Sequence, residues 1–79
     1  MNTRLKMLEA AILQSRSRAL AEVAAIEVLL DNPAGVPEHT NYVEEILMHA
    51  QRLAEHEDTM KALDTYFVPK NQQSPDDAS

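Results

Sequence analysis

The chain has 79 residues, a formal net charge of −6, a single glycine, and neither cysteine nor tryptophan. A chain of this length forms one small domain, and the absence of cysteine excludes disulfides and thiolate metal sites. The acidic excess argues against nonspecific binding to nucleic acid, and no apolar run reaches the ~20 residues that a membrane-spanning helix needs.

The first predicted element is a long helix over residues 3–30, which contain neither glycine nor proline. They are rich in Ala, Leu, Glu and Arg, whose side chains lose little rotamer freedom in a helix. Asn2 or Thr3 can cap the first turn. Steps of three and four residues place one stripe on a single face, and its members are Leu5, Leu8, Ile12, Ser15, Ala19, Glu22, Ile26 and Leu29.

A second stripe on this helix consists of Leu13, Leu20, Val23 and Leu30. The two stripes together make the apolar face wider than one partner helix can cover. We therefore expect one stripe to pack within the chain and the second to be available for another contact.

Residues 31–39 are predicted to form a short, stiff connection. Pro33 disfavours helical backbone at Asn32, so the first helix must end close to that point. The polar side chains of Asn32, Glu38 and His39 are expected to cap the two helices rather than to form a recognition surface.

A second helix is predicted over residues 40–67, with Asn41 and Glu44 spaced as in a capping box. The hairpin domain then spans residues 1–68, and the polar residues 69–79 are predicted to be a disordered tail. The expected apolar face of the second helix consists of Val43, Ile46, Leu47, Ala50, Leu53, Met60, Leu63 and Phe67.

Because the connection is short, the two helices should pack antiparallel, which predicts an all-α two-helix hairpin. The two stripes agree best when residues whose numbers sum to about 72 face each other. This register places Leu29 opposite Val43, Ile26 opposite Ile46, Ala19 opposite Leu53, Glu22 opposite Ala50, and Ser15 opposite Glu57.

A lone hairpin buries apolar side chains only along the single seam between its helices. The stabilisation from this burial is small compared with the entropic cost of ordering about 60 residues. We therefore expect a homo-oligomer, at least a dimer, in which hairpins assemble into a helical bundle or ring. The second stripe is the predicted oligomer interface. Alternatively, that stripe binds a different protein.

No enzyme, metal or cofactor is predicted. Glu45, His49 and His56 fall on one helical face, where three such ligands could hold zinc. The Glu-x-x-His spacing of di-iron bundles is absent, so solvent-facing polar side chains are the favoured interpretation. Ser15 and Ser17 have no Gly-x-Ser-x-Gly turn to expose them as nucleophiles.

The best candidate for ligand binding is the Ser15–Arg18 cluster, which has the sequence Ser-Arg-Ser-Arg. Residues 1–30 carry four cations and three acids, whereas residues 31–79 carry three cations and ten acids. Arginine forks match phosphate oxygens, so Ser15, Arg16, Ser17 and Arg18 could bind a small anion, with Tyr42 stacking on a base. Ion pairs from Arg16 and Arg18 to residues 55–58, and simple packing of Tyr42, are the favoured alternatives.

The connection has the sequence Val-Leu-Leu-Asp-Asn-Pro-Ala-Gly-Val-Pro-Glu-His over residues 28–39. It resembles small, mostly uncharacterised proteins of tailed bacteriophages, which share Asn-x-x-Gly-Val/Ile-x-Glu-His between two helices. Their second helix continues with Ala-Glu-x-Glu-Asp, here residues 54–58. The resemblance covers roughly residues 5–67, although Thr40 stands where proline often follows the histidine.

This resemblance implies a phage accessory protein that acts in the cytoplasm of the infected bacterium, and it supplies no activity and no binding residues. Three non-enzymatic roles are then open. The first is sequestration of a small anionic host signal, such as a cyclic nucleotide, by an oligomer. The second is inhibition of a host protein through the apolar or acidic helix face, and the third is a role in the virion or its assembly. Sequestration is the leading hypothesis.

Overall fold

The computed structural model describes residues 2–31 and 39–70, with backbone alone for His39 and Thr40. Within these ranges the protein consists of two helices and no strand: α1, Thr3–Asp31, and α2, His39–Phe67. The helices pack against each other along their length. Leu29 and Tyr42 line a common hollow at one end, and Leu8 and Phe67 line another at the opposite end. The predicted antiparallel helical hairpin is thereby confirmed.

Both helices extend one residue further toward the connection than the sequence predicts, because α1 ends at Asp31 and α2 begins at His39. The predicted loop contacts of Asn32 and Glu38, and the predicted tail from residue 71 onward, lie outside the described residues.

The first turn of α1 is capped by Asn2, one of the two caps that the sequence offers. The Leu5 backbone N–H donates to Asn2 Oδ1 at 3.2 Å, which satisfies an amide that has no partner within the helix. In the structure α2 begins at His39, so Asn41 lies within its first turn rather than at the N-cap position of the predicted capping box. A capping residue must have non-helical backbone.

The seam between the helices is a stripe of half-buried side chains, and Ala19, only 5% exposed, is the single buried residue of the described ranges. On α1 the stripe repeats the predicted one from Leu8 to Leu29, whereas Leu5, also predicted, is exposed. On α2 it differs from the prediction, because Val43, Leu47 and Phe67 are exposed. The half-buried residues of α2 are Tyr42, Ile46, His49, Ala50, Leu53, His56, Met60 and Leu63.

The register of the hairpin is fixed by a direct contact between Glu22 and His49. Their numbers sum to 71, close to the predicted value of about 72, and Glu22 contacts His49, which directly precedes the predicted partner Ala50. The same sum places Ser15 level with His56 rather than with Glu57, and both of these residues are half-buried. The seam therefore contains His49 beside the half-buried Ala50, and His56 in place of the exposed Glu57.

Neither helix has a stretch that is long and apolar enough to cross a membrane, within the residues that the structure describes.

Candidate functional site

A polar pair lies in the middle of the seam. His49 Nδ1 donates to Glu22 Oε1 at 2.6 Å, and the two side chains are only 19% and 14% exposed. A carboxylate accepts hydrogen bonds, so the contact is satisfied when the imidazole carries a proton on Nδ1. The pair gives both polar groups a partner at a position where neither is well hydrated.

The seam can be described as a series of layers, each made of one residue of α1 and the residue of α2 that faces it. Counting seven residues from the Glu22–His49 layer reaches Ser15 and His56 in one direction and Leu29 and Tyr42 in the other, and all four are half-buried. Two central polar layers are thus bounded by apolar layers toward both ends. This repeat of seven is the pattern of antiparallel coiled-coil packing.

The histidines are therefore not solvent-facing, which corrects the sequence-based interpretation of His49 and His56. Glu45, the third member of that set, is exposed and lies outside the seam. Among the described residues no group of three His, Cys, Asp or Glu side chains is arranged to hold a metal ion. The polar seam residues are better explained by the interhelical contact.

One side of the hairpin, here called the apolar side, consists of the residues that directly follow a seam residue on each helix. The local two-fold axis of an antiparallel helix pair keeps these positions on the same side of both helices. On α1 they include the second stripe, of which Leu13, Leu20 and Leu30 are more than half exposed and Val23 is half-buried. On α2 they include Val43 and Leu47, each 55% exposed, followed by Ala50 and Ala54.

The apolar side continues to the open end of the hairpin as a shallow hollow of about 330 Å³. Leu13 belongs to both features, so the hollow adjoins the exposed stripe of α1. The hollow is lined by Leu5, Leu8, Glu9, Ile12, Leu13 and Val68. The predicted interface stripe therefore remains accessible over most of the hairpin.

The members of the Ser15–Arg18 cluster point in different directions. Consecutive helical residues turn by about 100°, so four in a row point to four sides of α1. Ser15 faces the seam, whereas Arg16, Ser17 and Arg18 are exposed. Tyr42 lies near the connection, about 20 Å further along the hairpin at 1.5 Å per residue. One chain does not bring these five residues to a common site.

The predicted ion pairs of this cluster are absent. In the described part of the chain the ion pairs within 4 Å are Glu22–His49 and Asp64–Lys70, so neither Arg16 nor Arg18 has a carboxylate partner. Arg16 follows the seam residue Ser15 and lies on the apolar side. Arg18 precedes Ala19 and lies on the opposite side.

Arg52 was missed by the sequence analysis. It directly precedes Leu53, as Arg18 directly precedes Ala19, and these two seam residues lie within one residue of the same level in the register described above. Arg18 and Arg52 therefore lie on the same side of the hairpin at nearly the same level, and both are exposed. The predicted register, which pairs Ala19 with Leu53, already places Arg18 and Arg52 close to one level, but the sequence analysis did not consider Arg52.

Comparison with known protein families, with curated proteins and with solved structures found no match for this chain.

Proposed function

We propose that this protein is a non-enzymatic binding protein whose working unit is a homo-oligomer. The observation that supports this most strongly is the apolar side, which exposes leucines of α1 and apolar residues of α2 together. Several exposed apolar side chains on one side of a small protein mark an interaction site. A hairpin whose described residues include a single buried side chain also needs further apolar burial to offset the entropy of ordering its chain.

The test compares two substitutions of exposed apolar residues on α1. Leu20 is 60% exposed on the apolar side, and Val28 is 64% exposed but turned about 80° further round the helix, away from α2. We expect the Leu20→Glu variant to be monomeric by light scattering at micromolar concentration, and the Val28→Glu variant to associate like the parent chain.

A parent chain that is a folded monomer at micromolar concentration would refute the proposed oligomer. In that case the apolar side would be assigned to a foreign protein, which is the inhibitor role considered from the sequence.

A second proposed function is the capture of a small anion by Arg18 and Arg52. It is supported by the helical positions of these two arginines, which put them on one side of the hairpin, and by the absence of a carboxylate within 4 Å of either in the described ranges, although Arg52 lines a shallow hollow with Glu55 and Asp58. Two arginine forks can bind phosphate oxygens bidentately, and side chains of this length can converge between adjacent helices. With the setting implied by the resemblance to phage proteins, the ligand would be a host signal such as a cyclic nucleotide.

Calorimetry against a panel of cyclic nucleotides, with inorganic phosphate as a separate titration, tests the anion site. We expect heat of binding from at least one nucleotide, and loss of that heat in the Arg18→Ala, Arg52→Ala variant. The control is Arg4→Ala, since Arg4 lies on the same side but about 20 Å away along α1. No heat from any member of the panel would end this second proposal without affecting the first.

A further inference from the structure

Apolar and charged residues follow each other in a symmetrical order along the apolar side of α1, so the order is the same from either end. Leu13 and Leu30 are at its ends, Leu20 and Val23 at its centre, and one charge lies between each end and the centre. The two charges are opposite, because one is Arg16 and the other is Glu27. Both are exposed and neither has an ion-pair partner among the described residues.

We propose that a second copy of this chain covers the apolar side, with α1 packed antiparallel against α1 of its partner about a two-fold axis. Residues whose numbers sum to 43 then face each other across the dimer. This places Leu13 against Leu30 of the partner subunit, Leu20 against the partner's Val23, and Arg16 against the partner's Glu27. The inference deepens the proposed self-association by giving its partner and register.

Charge complementarity favours this occupant and this direction. A two-fold contact uses the same patch on both subunits, so the patch must be complementary to itself. The antiparallel register satisfies that condition, because each dimer gains two Arg16–Glu27 pairs, one at either side of the axis. A parallel register would place Arg16 near the second Arg16 and Glu27 near the second Glu27, and like charges at such positions are destabilising.

The second helix is compatible with the same arrangement. If α1 residues whose numbers sum to 43 face each other, the register of the hairpin makes α2 residues whose numbers sum to about 99 face each other. Leu47 then lies close to the small side chains of Ala50 and Ala54 of the partner subunit. Small residues let a leucine from the facing helix approach closely. All four helices would then have antiparallel neighbours, as in an ordinary four-helix bundle.

A charge exchange between positions 16 and 27 tests the register. We expect Arg16→Glu alone and Glu27→Arg alone each to weaken dimerisation about tenfold, because two pairs per dimer turn from attraction to repulsion. The variant with both substitutions should return to within about threefold of the parent dissociation constant. Arg4→Glu, on the other side of α1, is the matched control for a change of net charge.

Cross-linking gives an independent measure of direction, because the chain has no cysteine of its own. We expect a mixture of the Leu13→Cys and Leu30→Cys variants to form disulfide-linked heterodimers faster than either variant links to itself. Rapid linking of Leu13→Cys to itself would overturn the antiparallel register, as would a double charge exchange that fails to restore dimerisation. A parent chain that is monomeric would instead refute the self-association on which this inference rests.

Discussion

The contact between Glu22 and His49 is the most specific interaction in the hairpin. A half-buried polar pair adds little net stability over a well-packed apolar pair, but removal of one partner leaves the other without its hydrogen bond. Such layers are known to fix the register of coiled coils at some cost in stability. We interpret the pair as the feature that selects this alignment of α1 and α2 over neighbouring ones.

A double-mutant cycle measures this coupling. Glu22→Ala and His49→Ala are each expected to cost about 1–3 kcal/mol in the free energy of unfolding, because each leaves one polar group unpaired in the seam. The double variant should cost less than the sum, with a coupling energy of about 0.5–3 kcal/mol. Urea unfolding at a single protein concentration measures all four chains.

The control cycle uses Asp64 and Lys70, whose ion pair of 2.8 Å is much more exposed. Its coupling should stay below about 1 kcal/mol, because solvent screens exposed pairs. Equal couplings in the two cycles would contradict the role given to the seam pair.

At the scale of residues, the sequence predicted which apolar side chains of α1 lie in the seam, but not the polar partner of Glu22. Hydrophobic periodicity selects the apolar Ala50 as the residue facing Glu22, because it takes no account of the hydrogen bond that Glu22 can form with the adjacent His49. The arginines illustrate the same limit, because their ion pairs depend on distances that spacing along the chain does not give.

At the scale of elements, the close approach of the two helices centres on Ala19. It is the one buried residue of the described ranges, and its small side chain faces the seam between Ser15 and Glu22. Close-packed positions of this kind tolerate added volume poorly.

Ala19→Leu is therefore expected to destabilise the hairpin by about 1–3 kcal/mol, although leucine is larger and more apolar. Ala21→Leu is the matched control, since Ala21 is exposed on the same helix and should change stability by less than about 0.5 kcal/mol. Thermal unfolding followed by circular dichroism compares the two, and a stabilised Ala19→Leu chain would show that the seam is looser than described.

The helices themselves follow closely from the sequence. A run of good helix formers without glycine or proline leaves little choice for residues 3–30, and the observed α1 is one residue longer. The start of α2 was harder to predict, because the capping-box spacing of Asn41 and Glu44 favours a start at Asn41, whereas the helix begins two residues earlier, at His39.

At the scale of the whole molecule, the proposed dimer links folding to association. A chain that gains much of its apolar burial from a partner becomes more stable as its concentration rises. We expect the midpoint of thermal unfolding to increase by several degrees for each tenfold increase in protein concentration, between about 1 and 100 µM. The Leu20→Glu variant should lose this dependence, and a midpoint that is constant for the parent chain would argue against coupled folding.

That Ala19 is the one buried residue of the described ranges affects how the protein would survive in a cell. If the remaining apolar side chains depend on a neighbouring copy for cover, a newly made chain that finds none is a substrate for proteases until a second one meets it. Degradation would then remove single chains while pairs survive, and the amount of working protein would rise more steeply than its rate of synthesis. The protein would then accumulate only when its rate of synthesis exceeds a threshold.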